Sequence, residues 1–122
     1  MSTPLEQVAL LLRDVAEAVA SLESQAALAL EGQQDEAGYR KLMLQKAELL
    51  AGLAAQSAPA VEALPPARRE MVAATLGSFS KNAATAIKLG SVFYMSALLY
   101  PDDHQPGQPN NLEFFIRSLD QA

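Results

Sequence analysis

The chain has 122 residues, half of them hydrophobic, and 14 acidic against 9 basic side chains leave a net charge of -5. A chain this long forms one domain, burying roughly two thirds of its unfolded surface, without room for a second domain that carries its own site. No cysteine and a single histidine exclude a disulfide framework, a thiol nucleophile and a Cys/His zinc site. The acidic balance argues against nucleic acid as a partner, because a phosphate backbone needs a basic face to displace its counterions.

The first element is announced by Thr3-Pro4-Leu5-Glu6. Threonine can cap, proline suits the first helical position, and glutamate returns to the cap three residues on. From there Leu5, Val8, Leu12, Val15, Val19, Leu22, Ala26 and Ala29 step by alternating threes and fours, the seam of coiled-coil-like packing. This predicts a helix A over about 3–31, with Gly32 and the polar residues after it as the break. Helix B is expected over about 35–57, with Tyr39, Leu42, Met43, Leu49, Leu50 and Leu53 on one side. Pro59 is expected to end it, leaving 57–66 as a proline-punctuated connection. Helix C is expected over about 66–100, stopped by Pro101, with Val72, Thr75, Phe79, Asn82, Ala86, Leu89, Phe93, Ser96 and Tyr100 as its seam.

The tail reads differently. Residues 101–109 hold three prolines and a glycine and predict an irregular tether. Asn110 and Glu113 then repeat the capping spacing, and Leu112, Phe115, Ile116 and Leu119 mark one face of a short amphipathic helix over about 111–121. Such a helix is too short to persist alone in water, so it docks, either on its own bundle or on another chain. The expected fold is all-α: an antiparallel three-helix bundle of long helices with a short C-terminal amphipathic helix. Residues 1–36 carry seven acids and one base, and 63–100 four bases and one acid, which favours antiparallel contact of helices A and C. The longest apolar-looking run, Leu89 to Tyr100, is interrupted by Gly90, Ser91 and Ser96 and falls short of the roughly 20 residues a membrane helix needs. The amino terminus lacks the basic start and apolar block of a secretory signal, so no membrane insertion and a cytoplasmic location are expected.

No catalytic, cofactor-binding or metal-binding constellation emerges, and a non-enzymatic protein is expected. His104 falls in the tether, where nothing presents it rigidly, and reads as a solvated loop residue. Glu23, Glu31, Asp35 and Glu36 lack the Glu-x-x-His pairs of a bundle metal site and read as a solvated acidic helix end. Arg68 and Arg69 stand at a helix start, where their charge opposes the dipole and needs a local reason. Lys46 occupies a seam position between Leu42 and Leu49; the simpler reading is a lysine snorkelling at the bundle edge, the other a specific ion pair. Asn82 on the helix C seam reads as a register-setting polar residue. The stretch around Ser80, Ala83, Ala86 and Gly90 is small-featured, which suits either close packing or a shallow groove for another helix. The candidate partner-binding residues are Phe79, Ala83, Ala86, Gly90 and Phe93 on helix C, with Leu112, Phe115, Ile116 and Leu119 on the terminal helix.

Between Leu22 and Leu53 the chain has a Leu-Glu start, an alanine-leucine pair before a polar break, and then a lysine followed by paired leucines. In this it resembles the FlgN-type flagellar export chaperones, matching at Leu22, Glu23, Ala27, Leu28, Asp35, Lys46, Leu49 and Leu50. The stretch Asn82 to Leu99 is similar in kind to the family's third helix, whereas the proline-rich link at 57–66 and the terminal Asn-Asn-Leu-Glu-Phe-Phe-Ile helix depart from the pattern. The resemblance implies a cytoplasmic protein without cofactor that binds amphipathic carboxy-terminal helices of hook-filament junction subunits and delivers them to the flagellar secretion apparatus. The alternative is a structural or regulatory bundle acting through homodimerisation along the helix A seam.

Overall fold

The computed structural model describes residues 3–120, which form six helices and no strand. They are α1 (Pro4–Glu31), α2 (Glu36–Ala51), α3 (Leu53–Glu62), α4 (Pro66–Leu89), α5 (Val92–Ala97) and α6 (Asn111–Asp120). Helix α1 starts as expected. Thr3 Oγ1 accepts from the Glu6 amide at 3.1 Å with Pro4 in the first turn, and Val8, Leu12, Val15, Val19, Ala26 and Ala29 of the seam are all buried. Asp35 caps α2, its side chain accepting from the Gly38 amide at 2.9 Å, so the chain reverses within four residues and α2 returns antiparallel along α1.

Helix B is two helices, not one. Residue 52 is the hinge, and Pro59 lies inside α3 instead of ending a helix. In an unbroken helix the Ala54 amide would bond the Leu50 carbonyl directly. Here the Ser80 hydroxyl of α4 stands between them, accepting from Ala54 at 3.0 Å and donating to Leu50 at 2.9 Å. A side chain inserted into the helical ladder is a recognised cause of a sharp bend, and it leaves neither backbone group unpaired. Pro59 is tolerated because it and Ala55, whose carbonyl loses its helical partner to the ring, are both exposed to solvent. Leu53, Ser57 and Val61 still present a buried stripe along α3.

Helix C is also two helices. Gly90 adopts the left-handed conformation with φ 62°, the Ser91 amide bonds the Ala86 carbonyl and the Gly90 amide that of Ile87. That pair of bonds is a Schellman stop, for which glycine lacks the steric penalty of a side chain. Ser91 then caps α5 by accepting from the Tyr94 amide at 3.1 Å. Glycine followed by serine therefore ends one helix and begins another, and Gly90 is a terminator, not part of a helical seam.

The trunk consists of α1, the bent α2–α3 rod and α4, each antiparallel to the next in sequence. No Cα of α1 lies within 8 Å of one of α4 and neither ion pair among the described residues joins them, so the expected charge pairing of acidic helix A with basic helix C does not form, although both helices contribute side chains to the main apolar cluster. Helix α6 lies instead against α1, antiparallel to it, with Asp120 paired to Arg13, and reaches α4 through an edge-to-face contact of Phe115 with Phe79 at 6.4 Å between ring centroids. Its cap is reciprocal: Asn110 Oδ1 accepts from the Glu113 amide and Glu113 Oε1 from the Asn110 amide, each at 2.9 Å. Leu112, Phe115, Ile116 and Leu119 join the main apolar cluster with Val8, Leu12, Leu53, Val72 and Leu76. Residue 121, the expected last residue of this helix, lies outside the described residues. A second, smaller cluster of Ala26, Met43, Ala47, Ala86 and Met95 fills the opposite end. Among the described residues no helix is long and apolar enough to cross a membrane.

Candidate functional site

The end built by α1, α2 and α5 carries the chain's fully buried charge. Lys46 is 0% exposed, which overturns its reading as a lysine snorkelling at the edge. Burial of an ammonium requires a partner and filled donors, and three are present. Glu23 Oε2 lies at 2.9 Å, the Ser96 carbonyl of α5 accepts at 3.0 Å, and the Tyr100 ring stands 5.1 Å from Nζ. The Tyr100 hydroxyl donates to the other Glu23 oxygen at 2.7 Å. Desolvation pulls the Lys46 ammonium below its ordinary pKa, with the hydrogen bond and charge of Glu23 opposing it. Burial foremost, and Glu23 beside it, push the Tyr100 phenol upward. The cluster thus ties three segments far apart in sequence: the middle of α1, the middle of α2 and the strap that leaves α5.

That strap is strained. Leu99 has φ 77°, a left-handed conformation rare for a residue with a side chain. The conformation buries the Leu99 side chain in the main cluster and lets its carbonyl accept from the Asn111 amide at 2.8 Å. His104 is more constrained than a solvated loop residue. Its ring packs edge-on to Tyr100 at 4.8 Å between centroids, and Nε2 lies 2.9 Å from the Gln108 carbonyl.

Together with Leu98, Leu99 and Tyr100 of this strap, α4 and α5 enclose an open groove of about 440 Å³. Asn82, Thr85 and Leu89 line it from α4, Tyr94 and Ala97 from α5, and Asn111 from the start of α6. Leu89 and Tyr94 open from it to solvent, 62% and 53% exposed, and Phe93, next to Tyr94 on α5, is 74% exposed. Phe93 and Tyr94 pack edge-to-face at 5.7 Å between centroids. Adjacent large apolar side chains held in water make this face the candidate contact surface.

The nine candidate partner-binding residues do not gather on this surface. Phe93 is on it. Ala86 lines the groove floor and is itself buried, and Gly90 turns the chain at one end. Ala83 lies in the core and Phe79 packs against α6. Leu112, Phe115, Ile116 and Leu119 are taken up by the chain's own bundle. Asn82 is exposed on the groove and sets no register. Leu89 and Tyr94 were absent from the candidates because an unbroken helix C disperses them around its circumference; the glycine stop folds them to one place. The local reason for Arg69 is the Glu62 carbonyl at the end of α3, 3.5 Å from Nη1, and Arg68 Nη1 is buried without a partner. Among the described residues no group of three or more histidine, cysteine, aspartate or glutamate side chains is arranged to hold a metal.

These features define, over the described residues, an all-helical protein with an open groove of mixed polar and apolar lining at one end of its trunk. No family model, no curated protein and no solved structure matches the chain.

Proposed function

We propose that this chain is a cytoplasmic, non-enzymatic chaperone of the FlgN type that holds the amphipathic carboxy-terminal helix of a hook-filament junction subunit before its delivery to the flagellar secretion apparatus. The observation that carries this reading is the exposed Leu89 and Tyr94 that line the groove between α4 and α5, with the exposed Phe93 packed on Tyr94. An amphipathic helix recognises its receptor by laying apolar side chains at i, i+3, i+4 and i+7 into such a groove. The resemblance over Leu22 to Leu53 adds the class of client, and its matched Lys46, buried and paired with the matched Glu23, bonds the Ser96 carbonyl of α5, which forms one wall of the groove. Homodimerisation along the α1 seam has less to rest on, because the seam side chains are buried within the chain itself.

Titration calorimetry with a synthetic peptide spanning the carboxy-terminal helix of a hook-filament junction subunit tests the reading. Binding at one copy per chain with a negative heat-capacity change is expected, since apolar faces leave water. Absence of heat at tens of micromolar with every junction and filament subunit peptide rejects the flagellar assignment.

A further inference from the structure

We infer that the α4–α5 groove selects amphipathic helices whose flank is acidic, with carboxylates seven residues apart. The inference rests on the reading of the groove as a helix receptor and adds the charge of the occupant. Its basis is a pair of exposed lysines on α4. The chain as a whole is at -5, yet the exposed charged side chains on the part of α4 that borders the groove are Lys81 and Lys88. On a helical wheel both fall on the solvent side of the row Asn82, Thr85 and Leu89 that lines the groove, bracketing Thr85 one turn on either side.

Neither lysine has a carboxylate within ion-pair distance among the described residues. The two ion pairs present among the described residues are Arg13–Asp120 and Lys46–Glu23, and neither involves Lys81 or Lys88. Lys88 also lies in the last turn of α4, where it complements the helix dipole. Lys81, in mid-helix, has no such role. Seven residues at the helical rise separate the two ammonium groups by about 10 Å, two turns along the axis. A helix lying along the groove with acidic residues at i and i+7 beside its apolar stripe meets both. Charge at the rim of an apolar contact steers and discriminates among partners more than it adds affinity, so the expected signature is selectivity.

The test uses two synthetic 18-residue helical peptides with one identical leucine face. One carries glutamate and the other lysine at two flank positions seven apart, and binding is read by fluorescence anisotropy at low salt. The wild-type protein is expected to bind the acidic peptide about tenfold more tightly than the basic one, against its own net charge, and the preference should collapse in 0.5 M salt. The double variant Lys81→Glu/Lys88→Glu should invert the preference. The double variant Arg40→Glu/Lys41→Glu changes net charge equally on exposed positions of α2 and should leave it intact. Equal binding of both peptides, or a preference unmoved by reversal at residues 81 and 88, overturns the inference and leaves the helix-receptor reading standing. If neither peptide binds at hundreds of micromolar, the reading and the inference fall together.

Discussion

Helices α5 and α6 are both short additions to the same trunk, and they are attached by opposite means. Helix α6 buries four large apolar side chains, carries a reciprocal cap and pairs its last residue with Arg13. Helix α5 buries only Met95 and is held by polar contacts, Lys46 to the Ser96 carbonyl and Tyr100 to Glu23. An apolar face used for attachment has nothing left to present to a partner. Polar attachment leaves the aromatic side chains of α5 free, which is why the groove lies beside α5 and why the terminal helix, though the more amphipathic of the two, is part of the core.

The contrast can be broken most directly at α6. Deleting residues 110–122 removes Leu112, Phe115, Ile116 and Leu119 from the core. At about 1.5–3 kcal/mol each, this loss is comparable to the whole stability of a small domain. The expected outcome is a chain with no cooperative thermal transition. A deletion variant that melts like the wild type would show that α6 is an optional occupant and not a core element.

Next in size is the buried charge. Lys46→Ala leaves Glu23 without its cation and empties the space of the lysine stem, and is expected to cost about 3 kcal/mol in urea unfolding. Lys46→Met fills the same space without the ion and should fall within about 1 kcal/mol of wild type. If the two variants are equally destabilised, the pair itself, not the packing, holds α5.

Tyr100→Phe sharpens the same point. It keeps the ring beside Lys46 and removes the hydroxyl that donates to Glu23, at an expected cost of about 1.5 kcal/mol near neutral pH. Folding raises the pKa of this phenol above its ordinary value of 10.0, so the native state keeps its proton where the unfolded chain loses it. The stability this contributes is complete below pH 10.0 and declines as pH rises above it. The gap between wild type and Tyr100→Phe in denaturant unfolding should therefore be constant from pH 7 to 9 and narrow above pH 10. A gap independent of pH throughout would mean that the hydroxyl bonds water instead of Glu23.

The smallest effect on folding is expected at the groove. Phe93→Ser removes a side chain that is mostly in water and should change stability by less than about 0.5 kcal/mol. The same substitution should weaken helix-peptide binding about threefold, because Phe93 packs on Tyr94, which lines the groove. Lost stability together with unchanged binding would assign Phe93 to the fold and not to recognition.

Much of the fold was legible residue by residue. The Thr3 cap, the α1 seam and the Asn110–Glu113 box all form as their spacing predicts, because each is a local device whose partners lie within a few turns. The two interrupted helices were not legible for different reasons. The Gly90-Ser91 stop was written in the sequence, but the apolar spacing of Leu89, Phe93 and Ser96 runs through it with a helical period and hides the break. The bend at Gly52 depends on Ser80, 26 residues beyond the Ala54 amide that it accepts, and no local pattern announces it. Lys46 was visible as an anomaly in an apolar seam, whereas its partners Glu23, Ser96 and Tyr100 became neighbours only through the antiparallel return of α2 and the turn after α5.

The sequence by itself determined an all-helical chain without a cysteine-based or histidine-cluster site, the start of α1, and a capped amphipathic helix at the end, because helix caps and a 3.6-residue period are short-range physics. Only the tertiary structure decided which faces meet. It set α6 against α1, placed a lysine in the interior, and brought Leu89 and Tyr94 to one opening. Those outcomes depend on which apolar surfaces compete successfully for one another across the whole chain, and a single left-handed glycine redirects that competition without altering the period of the residues on either side.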